Sequence, residues 1–212
     1  MKMQRRFVVP ALVGALVALL AGVLLSQQRA DAVQGGAPAP AFQAMDAAGH
    51  MRSLDEFAGK TVVLEWSNHQ CPYVRKHYET GNMQALQREA AAQGAVWLTV
   101  LSSAPGKEGN VSGVEAQRLT SARNAAPTAV LLDPTGALGR LYGARSTPHM
   151  FVISADRRLV YQGGIDDRNS ADHATVEGAR NYVREALTAL HEGRQPAVSA
   201  APSYGCSIKY AH

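Results

Sequence analysis

The sequence predicts an α/β domain with a central mixed β-sheet flanked by helices on both faces. Two observations carry this. Between Thr61 and Leu132, short apolar, β-branched runs alternate with segments of helical spacing. Further on, two strand-like runs, His149 to Ser154 and Leu159 to Gln162, are joined only through Ala155-Asp156-Arg157-Arg158. Alternating strands and helices imply crossover connections and parallel pairing, whereas so short a link permits only an antiparallel hairpin.

The elements follow in order. Phe42 to Asp46 and Met51 to Phe57 flank the turn Ala47-Ala48-Gly49-His50 and read as a small hairpin. Thr61 to Trp66 reads as a buried central strand. Pro72 suits the first turn of a helix, and the stretch from Tyr73 to Gln93 is helix-like, with a weak point at Gly81-Asn82. Within it Met83, Leu86 and Ala90 recur at the spacing of a core-facing stripe. Gly94 ends that helix. Ala95 to Leu101 is a second buried strand, Val114 to Asn124 a short helix, Thr128 to Leu132 a strand, and Ala137 to Tyr142 a short helix. Ala171 to Glu192 is expected as the last helix, and residues 193–212 read as a flexible tail. There is no internal repeat.

The N-terminal segment has a different character. Lys2, Arg5 and Arg6 precede an uncharged apolar run from Phe7 to Leu25, followed by Ala30-Asp31-Ala32. This is the layout of a secretory signal peptide over residues 1–32. The run is also long enough for an uncleaved membrane anchor, and Pro10 and the small-x-small site favour cleavage. Residues 33–41 then read as a linker and residues 42–192 as the domain. Either reading predicts export, for example to a periplasm, where disulfides persist. Cleavage removes Lys2, Arg5, Arg6 and Arg29 against Asp31 and takes the net charge from +4 to +1. The remaining chain has no basic stripe, so no nucleic-acid partner is expected, and a membrane partner only if the leader stays attached.

The chain has two cysteines, Cys71 and Cys206. Two are too few for a disulfide-built scaffold, although they could form one structural bridge. Cys71 follows the central strand and opens the next helix. Unpaired N–H groups and the helix dipole at such a position favour thiolate, the species that attacks disulfides and peroxides. Nearby His69, Arg75, Lys76 and His77 add to this expectation if charged. Far off in sequence, Ser146-Thr147-Pro148-His149 precedes a strand.

This element order is that of a thioredoxin fold, with Cys71 where that fold places its reactive cysteine. Residues 37–165 resemble the redoxins that join the alkyl hydroperoxide reductase/thiol-specific antioxidant proteins with membrane-tethered thioredoxins. More narrowly, Asn68-His69-Gln70-Cys71-Pro72-Tyr73-Val74-Arg75-Lys76-His77-Tyr78, Thr147-Pro148-His149 and Tyr204-Gly205-Cys206-Ser207-Ile208-Lys209-Tyr210 resemble a peroxiredoxin-like subgroup of exported bacterial proteins. The resemblance implies a cis Pro148 opposite Cys71, with Thr147 offering backbone bonds to a substrate chain. His149 would lie close enough to tune the thiol, as would His69 and Arg75.

The departures are specific. Val74 stands where thioredoxins carry a second cysteine. Leu64 and Asn68 stand where peroxiredoxins carry a proline and a Thr or Ser hydroxyl. The resemblance therefore implies a thiol oxidoreductase acting on a peroxide or a disulfide-bonded protein, with an external thiol as reductant and no cofactor. Cys206 is a candidate resolving thiol; a permanent tether or a bridge between protomers remains open. The alternative from another class is a non-catalytic protein: a redox-inert binding module, or a copper chaperone using Cys71, His69 and Cys206.

Overall fold

A computed structural model describes residues 36–211; the leader lies outside the described residues. The main sheet has seven strands: β1 (Gln43–Asp46), β2 (Met51–Ser53), β3 (Val62–Trp66), β4 (Val96–Leu101), β5 (Ala129–Leu132), β7 (His149–Ile153) and β8 (Leu159–Gly163), in the spatial order β2-β1-β5-β4-β3-β7-β8. β3, β4 and β5 pair in parallel, as their intervening helices require. β7 pairs antiparallel with both β3 and β8. β6 (Ser146–Thr147) and β9 (Cys206–Ser207) form a separate two-stranded sheet.

Among the described residues five α-helices flank the main sheet: α1 (Pro72–Glu79), α2 (Asn82–Ala92), α3 (Gly113–Ala122), α4 (Ala137–Tyr142) and α5 (Tyr182–His191). The fold is thus α/β and thioredoxin-like, with a mixed sheet, as the alternation predicts.

Strand periodicity divides the core in two. Val62, Leu64 and Trp66 join Phe42, Leu98, Leu131, Tyr142 and Phe151 in one buried cluster. Val63 joins Cys71, Val74, Met83, Leu86, Trp97, Val183 and Leu187 in the other. Every residue of β3 is buried, so the run from Thr61 to Trp66 does read as a central strand.

Three local expectations need correction. The stretch from Tyr73 to Gln93 is two helices rather than one, because Gly81 adopts φ +76° and breaks the path between α1 and α2. The last helix begins only at Tyr182, capped by Asn181, whose side chain accepts from Arg184 N. Before it, a 3-10 turn spans His173–Val176, and Gly178 at φ +69° interrupts the chain. The expected linker is, from Gly36 onward, fastened to the start of β8 through Gly36 N to Leu159 O, Ala39 N to Arg157 O and Leu159 N to Ala37 O.

Candidate active site

The site forms where β3 runs into α1. Cys71 is the N-cap of α1, with extended backbone, and Pro72 follows it in the first turn. Cys71 N donates to Asn68 O at 3.0 Å, which tightens the approach loop. Asn68 is itself buried and donates from Nδ2 to Glu108 Oε1 at 3.0 Å. The Cys71 sulfur is therefore held by backbone geometry, and the residue is 0% exposed.

The Thr147–Pro148 bond is cis, as the resemblance implies, and both residues are buried. Cys71 Sγ donates to Thr147 O at 3.1 Å. Its second neighbour is Cys206, whose Sγ lies 2.6 Å away. Cys206 is there because β9 lies antiparallel on β6, with Thr147 opposite Cys206 and Ser146 opposite Ser207. The two cysteines, 135 residues apart in sequence, thus face one another across the proline turn. Burial, then the bond to Cys71 and its charge, push the Cys206 thiol up to about 12.

The tail is fastened to the domain at several points. Gln162 and Ala201 join it to β8 through backbone bonds. Ala104 N donates to Lys209 O at 2.8 Å, and Ile208 N to Arg145 O at 3.2 Å. Tyr210 donates to Ala144 O at 2.9 Å, and its ring lies against Gly136 and Gly139, where a side chain would collide with it. Tyr204 is buried, its hydroxyl bonded to Asp166, its ring 6.0 Å from that of Tyr73 and 5.6 Å from Lys76 Nζ.

The charges around the thiol differ from the expected set. Burial, then Arg145, lowers His149 to about 4. Its neutral ring accepts from Arg145 N at 3.2 Å. Burial, then Lys76, lowers His77 to about 3, even though Asp166 Oδ2 stands 3.9 Å from its Nε2. His69 is lowered by burial and then by Arg123. These imidazoles are neutral at pH 7, so none of them supplies the positive charge expected of His69 and His149. Arg75 points to solvent and pairs with Glu79 at 2.8 Å. Lys76 is wholly buried and turns to Arg168 O and Thr175 Oγ1. The copper set also fails to assemble. Among the described residues no three His, Cys, Asp or Glu side chains converge, and His69 lines cavities with Tyr78, Leu119 and Arg123.

The neutral histidines set an acid limit. An imidazole whose folded pKa lies below its unfolded value stabilises the fold above about pH 6.5 and withdraws that stability as pH falls toward the folded value. For His149 the gap from 6.5 to about 4 corresponds to on the order of 3 kcal/mol. His149→Gln is therefore expected to flatten the fall in melting temperature between pH 6.5 and 4. An unchanged slope would show that His149 takes up its proton without unfolding.

Sequence reasoning missed Asp166, which is buried and bonded to the Tyr204 hydroxyl, and it gave Tyr204 no role. It also missed Glu65, a carboxylate with 0% exposure in β3. Tyr78 donates to its two oxygens at 2.9 and 3.1 Å, Trp97 Nε1 at 2.9 Å, Thr99 Oγ1 at 3.2 Å and Gln87 Nε2 at 3.4 Å. An acidic residue amid Val62-Val63-Leu64 and Trp66 was the available signal.

Fold and site together define a thioredoxin-superfamily redoxin with a paired-thiol centre. Residues 36–162 match the AhpC/TSA family, so the chain belongs to it. That family is one of thiol-based oxidoreductases. Among solved structures, an uncharacterized conserved protein from Geobacillus kaustophilus is 25% identical, with a TM-score of 0.73 over 85% of this chain and 94% of its own. A hypothetical protein from Sinorhizobium meliloti is 24% identical, with a TM-score of 0.71 over 85% of this chain and 97% of its own. A proposed thiol:disulfide interchange protein, DsbE, from Chlorobium tepidum shares the fold at 23% identity and a TM-score of 0.51, over 61% of this chain and 84% of its own. No curated protein matches the sequence.

Proposed function

We propose that the chain is an exported thiol oxidoreductase in which Cys71 attacks the substrate and Cys206 resolves the intermediate. The 2.6 Å separation of the two sulfurs carries this reading. A disulfide needs a bond of about 2.05 Å, so pairing requires only a small closure within the β6–β9 register.

Two substrate classes lead to the same end. With a peroxide, the Cys71 sulfur attacks one oxygen, the O–O bond breaks, and a sulfenic acid and an alcohol or water result. The Cys206 sulfur then attacks Cys71, forming the disulfide and releasing water. With a disulfide, Cys71 attacks one sulfur and the other leaves as a thiol. Cys206 then attacks Cys71 and releases the second substrate thiol. In both, the dithiol loses two electrons and the substrate gains them. An external thiol attacks Cys206, the half-buried sulfur, since Cys71 is enclosed; Cys71 leaves as a thiol, and a second donor thiol then releases Cys206 and carries the electron loss away as the donor's disulfide. Export is supported by the leader pattern alone.

Disulfide mapping tests this. One equivalent of oxidant should remove two free thiols per chain, and a digest made without reductant should contain a linked pair carrying Cys71 and Cys206. Two free thiols after oxidation, or chains linked only to one another, would overturn the resolving role.

A further inference from the structure

The tail around Cys206 is seated as a bound peptide is seated: extended, strand-paired and anchored by side chains on either side of its cysteine. We propose that the groove it fills selects its substrate by sequence, taking a disulfide-bonded segment that presents an aromatic residue, a glycine and then a cysteine. This rests on the thiol oxidoreductase reading and names its substrate class.

Each position of the tail carries a selection rule. Cys206 pairs with Thr147, and Thr147 Oγ1 reaches Cys206 O at 3.4 Å. A cysteine at that position has its sulfur delivered to Cys71. Gly205 has φ +112°, and a Cβ there would run into Thr147 O. The residue before the cysteine must therefore lack a side chain, on grounds of both conformation and space. Tyr204 fills a pocket that pairs an apolar wall with a polar floor. Its ring meets Tyr73 and lies so close to Gly164 that a side chain there would collide, while Asp166 accepts its hydroxyl and His77 Nε2 lies 3.4 Å from the same oxygen. An aromatic anchor buried this way is the kind of contact that dominates binding energy.

The same occupancy explains why Cys71 is sealed. A substrate strand can enter only as the tail leaves. In the forward step the Cys71 thiolate attacks the substrate cysteine seated in place of Cys206. The substrate S–S bond breaks, and its other sulfur departs with the electron pair and takes up a proton. The tail then returns, and Cys206 loses its proton and attacks Cys71. The substrate cysteine leaves as a thiol, and the re-formed β6–β9 pair excludes it. Return of the tail thus both resolves the intermediate and expels the product.

The test uses reduced full-length chain carrying Cys206→Ser. The probe is the peptide Pro-Ser-Tyr-Gly-Cys-Ser-Ile-Lys with its cysteine joined to 5-thio-2-nitrobenzoate, followed by release of the coloured thiolate and by the adduct mass on Cys71. Replacing the peptide's glycine or its tyrosine by alanine is expected to slow the reaction about tenfold or more. Adding Gly205→Ala to the protein should speed reaction with the unaltered peptide by vacating the groove. If that variant does not fold, as judged by circular dichroism, the peptide series on Cys206→Ser alone decides. Equal rates for all peptides, with Ellman's reagent still modifying Cys71, would overturn the groove inference and leave the thiol reading standing. A folded protein whose Cys71 reacts with neither peptide nor Ellman's reagent would overturn the thiol reading itself.

Discussion

Cys71→Ser should abolish thiol exchange, whereas Cys206→Ser should complete one attack and then stop. The two sulfurs touch but are not equivalent. Cys71 is fixed at the start of α1 and bonded to Thr147 O. Cys206 lies on a two-residue strand whose thiol is pushed up to about 12 by burial and by its neighbour. At neutral pH Cys206 therefore keeps its proton, which leaves Cys71 as the attacking sulfur. Turnover in either variant should drop by on the order of a thousandfold or more, because residues acting as a unit fail together. Only the Cys206→Ser protein should accumulate a stoichiometric adduct, located by mass spectrometry. The resolving step in the parent should quicken as pH rises, since the thiolate is the nucleophile. Turnover retained by Cys71→Ser would reverse the assignment.

Much of this centre was legible because it is written in local patterns. The apolar run of β3, the cysteine ending it and Pro72 behind it needed no tertiary information. Thr147-Pro148 was legible from the resemblance, and both residues stand where it implied. The tail was not legible. β9 is two residues long, too short for any periodicity, and it pairs with a strand equally short far back in the chain. Its anchors sit in pockets built by residues such as His77, Asp166 and Gly139, which no spacing rule brings together. The histidines were misread for a different reason. Proximity in sequence suggested charge, but the charge of an imidazole is decided by burial, and burial removes it from His69, His77 and His149.

Glu65 carries the largest expected effect on stability. It shares a face of β3 with Val63, beneath α1 and α2, and four side chains from β4, α1 and α2 direct donors at it. Removing the carboxyl as Glu65→Ala takes the acceptor from Tyr78, Trp97 and Thr99, while Gln87 keeps the Tyr78 hydroxyl, and opens a cavity. Together these cost on the order of 4 kcal/mol, a large share of the 5–15 kcal/mol typical of a domain. Glu65→Gln keeps the volume and one acceptor, and should cost far less. Burial raises the Glu65 pKa in the fold, against the lowering pull of Trp97 and Tyr78. The native state therefore holds a proton that the unfolded chain gives up. Its stabilising contribution is complete below the unfolded value, near 4.5, and is lost as pH rises through the folded value. The stability advantage of parent over Glu65→Gln should shrink as pH rises above about 4.5, measured by urea unfolding at each pH. A constant gap between them would show that Glu65 carries the same charge folded and unfolded, and that its four donors, rather than its proton, hold it in the core.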